Sequence, residues 1–169
     1  MQDCKPSLTP MEQHLKLSKF EGGEMVDNTI YRQLIGNLIY LTNTRPDLSY
    51  ADSILSFSMQ QPQDNHWNAT KGVLRYIQGT KHFGILYKKT KNFVLGGLLD
   101  VDFAGSIDDR ASTSGYLMNM GSATVSWSCK KQAIVATSTA EAEYISAWEA
   151  TCETVWLRRV LQDLGISQT

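Results

Sequence analysis

At Phe83 the spacing of apolar residues changes from about 3.6 to about 2, and it returns to helical spacing only after Ser138. A chain patterned this way places helices first, strands second and one closing helix last, an α+β arrangement. Upstream, Tyr31, Leu34, Ile35, Leu38 and Ile39 predict a helix from about Asn28 to Asn43, with Asp27 or Asn28 as its cap. A second helix is expected from Pro46 to about Met59, with Thr44 as cap and proline at its first position. A third is expected from about Asn65 to Ile77, between Asp64 and Gly79. Downstream, Phe83–Lys88 and Phe93–Leu99 read as a hairpin around Lys89-Thr90-Lys91-Asn92, followed by strands at Gly115–Met120 and Ala123–Ser128. Ala133–Thr137 reads as a further short extended segment. Ser138 followed by Glu141 fits a capping box, and Gly165 fits a C-cap for the long helix between them.

Residues 1–26 lack periodicity and hold Pro6, Pro10, Gly22 and Gly23, which predicts an extended arm. The organisation expected is therefore an arm over 1–26, a helical region over 27–92 and a sheet-and-helix region over 93–169. No apolar run is long enough to span a membrane, and the first twenty residues form no signal-peptide core. An intracellular chain, in cytoplasm or nucleus, is the expectation. Net charge is -1, from 16 basic and 17 acidic residues, so no bulk positive field draws in nucleic acid. The three cysteines show no metal-ligand spacing.

Chemistry concentrates in the second half. Asp100 and Asp102 share parity on a strand, and Glu143 lies in the first turns of the long helix. Converging carboxylates are the oxygen-rich setting that Mg²⁺ prefers. The plainer reading stands beside this one: an Asp-x-Asp at a strand end forms turns, and a glutamate near a helix start serves the helix field. Glu141 reads as the cap partner, and Ser112-Thr113-Ser114 as turn chemistry. His14, His66 and His82 have no ligand neighbours. Lys88, Lys91 and Lys130, with nearby lysines, are candidate phosphate contacts or an ordinary solvated sheet edge.

Several blocks in this order resemble the copia-type retrotransposon Pol polyprotein. They are Tyr31-Arg32-Gln33-Leu34-Ile35-Gly36, Thr44-Arg45-Pro46-Asp47, Leu74-Arg75-Tyr76-Ile77-Gln78-Gly79-Thr80, Asp100-Val101-Asp102-Phe103-Ala104-Gly105, Ser112-Thr113-Ser114-Gly115-Tyr116 and Ser138-Thr139-Ala140-Glu141-Ala142-Glu143-Tyr144. The resemblance implies that residues 27–92 are a thumb- or connection-like end of reverse transcriptase. It implies that residues 93–169 are an incomplete ribonuclease H-like half-domain of antiparallel strands plus one long helix. The family's first catalytic aspartate falls on Asp100 and its glutamate on Glu143, with Asp102 as a weaker ligand. The implied cofactor is Mg²⁺ and the implied substrate an RNA–DNA hybrid. The family's next metal-binding aspartate follows the long helix, beyond Thr169, so a fragment without complete activity is expected. A second reading is a non-catalytic interaction protein, such as a secreted pathogen effector acting on an unknown partner in a plant host cell. A sheet edge left open would favour self-association.

Overall fold

Asp27 accepts the Thr29 and Ile30 amides at 2.8 and 3.3 Å and so starts the first helix, α1 (Asn28–Thr42). The computed structural model describes residues 4–12, 15–20, 22–90 and 93–166. A 3-10 turn (Pro46–Leu48) leads into α2 (Ser49–Ser56), and α3 (Asp64–Gly79) follows. The second expected helix is thus shorter than its apolar pattern, because Met59 and its neighbours lie in turns before Pro62. Thr44 is not a cap: its hydroxyl donates back to the Leu41 carbonyl at 3.2 Å, closing α1. Asp64 lies inside α3, and the cap is Gln63, whose amide donates to His66 Nδ1 at 3.0 Å. His66 Nε2 meets the Ser18 carbonyl at 2.9 Å, so this buried ring links the helix start to the arm.

Tyr31, Ile35 and Leu38 of α1 close on Leu48, Ala51, Leu55, Val73 and Tyr76 to make one core. Beside it, Arg45 lays one edge of its guanidinium, Nε and Nη2, on the two carboxylate oxygens of Asp47, at 2.9 and 2.7 Å. It also donates to the carbonyl and hydroxyl of Thr80 at 3.0 and 2.9 Å. The Tyr76 hydroxyl donates to Asp47 at 2.8 Å, and the rings of Tyr76 and Phe83 flank the guanidinium. Asp52 lacks such support, since its Oδ1 is buried without a hydrogen-bond partner. Burial pushes its carboxyl up to about 6, from the ordinary 3.8. The native state therefore holds this proton more tightly than the unfolded chain. Stability is expected to fall as pH rises from about 4 through 6. The full equivalent of that shift is about 3 kcal/mol, and solvent screening of a half-exposed carboxyl reduces it to about 1 kcal/mol. Melting temperatures of Asp52→Asn, measured from pH 4 to 8, should gain on the parent above pH 6; equal profiles would refute the assignment.

The second half holds β1 (Leu95–Asp102), β2 (Thr113–Met120) and β3 (Ala123–Lys131), a three-stranded antiparallel sheet in the order β1-β2-β3. Gly121, at φ 61, makes the tight turn from β2 to β3. Helix α4 (Thr139–Asp163) packs on β1 and β2. Its buried residues Ala142, Ser146 and Ala150 are small, which lets its backbone approach the sheet. The expected strand at Phe83–Lys88 does not form, so neither does its hairpin with β1. That segment is instead tied through Tyr87, whose hydroxyl donates to the Thr124 carbonyl at 2.8 Å, and through two bonds of 3.0 Å between the Lys88 backbone and the Ser122 hydroxyl. Ala133–Thr137 is likewise bends and coil, not strand.

The chain divides into two compact units, Met1–Gly84 with Ser106–Asp109, and Ile85–Gly105 with Arg110–Thr169. The observed architecture is α+β, with helices α1–α3 preceding the antiparallel sheet and long helix. Among the described residues no helix is long and apolar enough to cross a membrane.

Candidate metal and nucleic-acid site

Gln132 fixes the start of α4 to the sheet. Its buried side-chain amide donates to the Ser114 hydroxyl at 2.8 Å and to the Ala142 carbonyl at 2.9 Å, while its backbone amide donates to the Ser112 carbonyl at 2.8 Å. Ser138 caps α4 by accepting the Glu141 amide at 3.1 Å, and the Glu141 carboxylate reaches back to the amide and hydroxyl of Thr137. These hydrogen bonds hold the Glu141 carboxyl below its ordinary value, and they occupy it as a cap partner. Glu143, two residues on, is exposed.

Glu143 lines an open cavity of about 460 Å³ together with Leu99, Asp100, Val101, Ala140, Tyr144 and Ala147. The ladder shows which face Asp100 takes. Gly97 pairs with Met118 and Leu99 with Tyr116. Met118 accepts from Thr154 of α4 at 3.6 Å, and Ser126, opposite Met118 on β3, donates to Glu153 of α4 at 2.6 Å. The face of β1 under α4 therefore carries Gly97, Leu99 and Val101. Alternation sends the Asp100 and Asp102 side chains to the other face, although Asp100 is among the residues that line the cavity. Asp102 is not among the cavity's lining residues. Its carboxylate instead lies against Gly105, where a Cβ would collide with it. The adjoining Ala104 takes a left-handed φ of 51, with its amide held by the Ser112 hydroxyl at 3.1 Å. Ser112 and Ser114 are thus buried structural ties.

Carboxylates are hard oxygen donors of the kind Mg²⁺ takes, and in residue type Asp100 and Glu143, which both line the cavity, fit the ion. Among the described residues no group of three or more His, Cys, Asp or Glu side chains gathers to hold a metal. Of the candidate phosphate contacts, Lys130 stands 3.7 Å from Glu149 of α4. Lys88 is anchored through its backbone to Ser122, and Lys91 lies outside the described residues. Sequence reasoning missed the tie made by Gln132, because its partners Ser114 and Ala142 come together only in the tertiary fold. It also missed the His66 cap, since a histidine three residues after a glutamine is no familiar helix-start signal.

No family model matches the chain, and no solved structure matches it. Curated relatives do. The Retrovirus-related Pol polyprotein from transposon RE2 of Arabidopsis thaliana is 46% identical over 166 residues, 98% of this chain and 11% of that protein. The corresponding polyprotein from transposon TNT 1-94 of Nicotiana tabacum is 40% identical over 176 residues, 99% of this chain and 13% of that protein. Secreted RxLR effector protein 161 of Plasmopara viticola is 44% identical over 131 residues, 77% of this chain and 92% of that protein. The chain spans little more than a tenth of the length of the Pol polyproteins it matches. These identities run through both units, including the carboxylate-bearing strand and helix, and the chain belongs to the copia-type retrotransposon Pol polyprotein family.

Proposed function

We propose that this chain is the stretch of a Pol polyprotein joining the trailing part of reverse transcriptase, over residues 27–92, to the opening part of a ribonuclease H domain, over residues 93–169. The inherited chemistry is Mg²⁺-dependent hydrolysis of the RNA strand of an RNA–DNA hybrid. The observation that carries this reading is one cavity lined by both Asp100 of β1 and Glu143 of α4. Bound there, Mg²⁺ would activate water and neutralise charge on the scissile phosphate. Asp100 and Glu143 supply the negative charge that draws the ion, and the exposed cavity leaves room for a phosphate to complete its shell. Mg²⁺ is commonly held by one or two carboxylates plus substrate phosphates. Two protein carboxylates give weak affinity and incomplete geometry, so this chain by itself does not hydrolyse the hybrid. Phosphate contact by Lys130 would compete with its ion pair to Glu149.

Titration calorimetry with Mg²⁺, in the presence of a hybrid, is expected to show binding that Asp100→Asn or Glu143→Gln weakens at least tenfold. A labelled hybrid should stay intact. Mg²⁺ binding that both variants leave unchanged would remove the metal site from the proposal. Cleavage abolished by either variant would keep the residues and overturn the inactivity.

A second reading is favoured by one comparison: nearly all of a protein named as a secreted effector is similar to this chain. On that reading the chain is a non-catalytic interaction protein. A tagged copy recovered from host cells would support it, and strict retention in the producing cell would count against it.

A further inference from the structure

We propose that the cavity between the arm and α3 binds a small phosphate monoester carrying a compact ring, a compound of nucleoside monophosphate size. The inference stands apart from the ribonuclease H reading, since this cavity lies wholly within the helical unit. The arm runs antiparallel to α3 and is held at both ends of it. The Ser7 amide donates to the Arg75 carbonyl at 3.4 Å, and Pro6 lies so near Gly79 that a Cβ added there would stand 2.8 Å from it. At the other end the Ser18 carbonyl meets His66 Nε2 at 2.9 Å. Between these ties the arm stands off the helix and leaves a cavity of about 360 Å³. Small-molecule cavities run from about 300 to 1,000 Å³, so this one suits a single nucleotide-sized compound and not a polymer.

Asn65, Asn68, Ala69, Gly72 and Arg75, spaced three or four residues apart, make the α3 side of the cavity. Gly72 lies in mid-helix, where glycine weakens a helix relative to alanine. A Cβ on it would meet nothing within 4 Å, so no close neighbour demands the glycine. What the missing side chain leaves is room in the cavity floor.

Charge selects phosphate. Arg75 and Lys16 both line the cavity, and among the described residues neither side chain is hydrogen-bonded or ion-paired. Glu12 is the one carboxylate on the described wall, which leaves two cations against one anion. A phosphate monoester carries about -1.5 to -2 charge near neutral pH, on three acceptor oxygens. The Arg75 fork suits two of those oxygens and the Lys16 ammonium the third. A carboxylate brings one charge and two oxygens, so one of the two cations would go unmatched. Pro10, Leu15 and Ala69 supply an apolar wall for a ring, and the Asn68 carboxamide offers a donor and an acceptor to its polar edge.

The test is titration calorimetry of the full chain with adenosine monophosphate, at about 150 mM salt to screen loose surface attraction. EDTA is present throughout, which removes any metal-bridged binding elsewhere on the chain. One-to-one binding is expected, weakened at least tenfold by Arg75→Gln and by Lys16→Gln. Both residues are exposed, so the ligand-free variants should melt with the parent. Gly72→Leu fills the cavity from the helix side. It should abolish binding and leave the chain at least as heat-stable, because leucine is the better helix former. Adenosine, which lacks the phosphate, should bind at least tenfold more weakly, and so should benzoate, which pairs a ring with a carboxylate. No heat of binding at millimolar adenosine monophosphate overturns the inference. So does binding that survives Gly72→Leu or ignores Arg75→Gln, and so does adenosine or benzoate bound as tightly as the monophosphate.

Discussion

Replacing Arg45 by alanine is expected to lower the melting temperature of the helical unit more than any single core truncation of one or two methylenes. Arg45 has 8% of its side chain exposed and binds Asp47 through two parallel bonds, and two further donors end on Thr80. Alanine would strip the Asp47 carboxylate of both guanidinium bonds, and the Thr80 carbonyl would lose its Arg45 donor. Breaking a buried pair on one side costs about 3–5 kcal/mol, and the lower figure applies here because a third of the Asp47 side chain meets water. In a unit of this size each kcal/mol moves the midpoint by roughly 4–8 °C. Arg45→Lys keeps the charge but loses the fork, so it should recover part of the loss. A midpoint unchanged in Arg45→Ala would show that the apolar core carries the unit without this cluster.

The same cluster fixes an acid limit. Burial pushes the Asp47 carboxyl up, but the Arg45 and Tyr76 hydrogen bonds and the guanidinium's charge outweigh it and hold the group below its ordinary 3.8. A lowered carboxyl stabilises the fold above its unfolded value and loses that contribution only as pH falls through the folded value. The ion pair therefore persists through mild acid, in the range where Asp52 takes up its proton.

Gln132→Ala should produce the larger effect in the sheet unit. Gln132, Ser114 and Ala142 are 4%, 2% and 0% exposed, so water cannot replace the lost amide donors. A buried polar group left without its partner costs about 1–3 kcal/mol, and the hydroxyl of Ser114 and the carbonyl of Ala142 each lose a donor. The change is also local. Hydrogen exchange should rise in the first turns of α4, where Glu143 sits, and remain near parent values around Leu161. Uniform acceleration along α4 would mean that Gln132 supports the whole unit and not the end that bears the glutamate. Gln132→Glu should be at least as harmful, since it sets a carboxylate against the Ala142 carbonyl.

Elements whose signals are local were legible from the residues. The Ser138–Glu141 pair and the apolar recurrence behind it describe α4, and Gly121 marks the turn between β2 and β3. Phe83–Lys88 misled because alternation reports a half-buried extended chain, not the partner it bonds to. Here the bonds run from the Tyr87 ring and the Lys88 backbone to the β2–β3 turn and its flank. The α2 region was overextended because apolar residues continue past the last helical turn into the bends before Pro62. At the candidate site, parity places Asp100 and Asp102 on one side of the strand, but which side α4 covers depends on pairings among β1, β2 and β3 that no local pattern encodes.

Asp100 and Glu143 are exposed residues on the rim of the cavity, whereas Arg45, His66 and Gln132 are buried in hydrogen bonds. Folding thus asks almost nothing of the two carboxylates, beyond the few tenths of a kcal/mol that an acid near a helix start contributes. In a lineage that no longer used them, both positions would drift freely while Arg45 and Gln132 stayed fixed. The pair therefore serves as a clock for selection on chemistry, separable from selection on folding: in copies descended from one ancestor, the ratio of changes at these two positions to changes at the buried ties dates the loss of the activity.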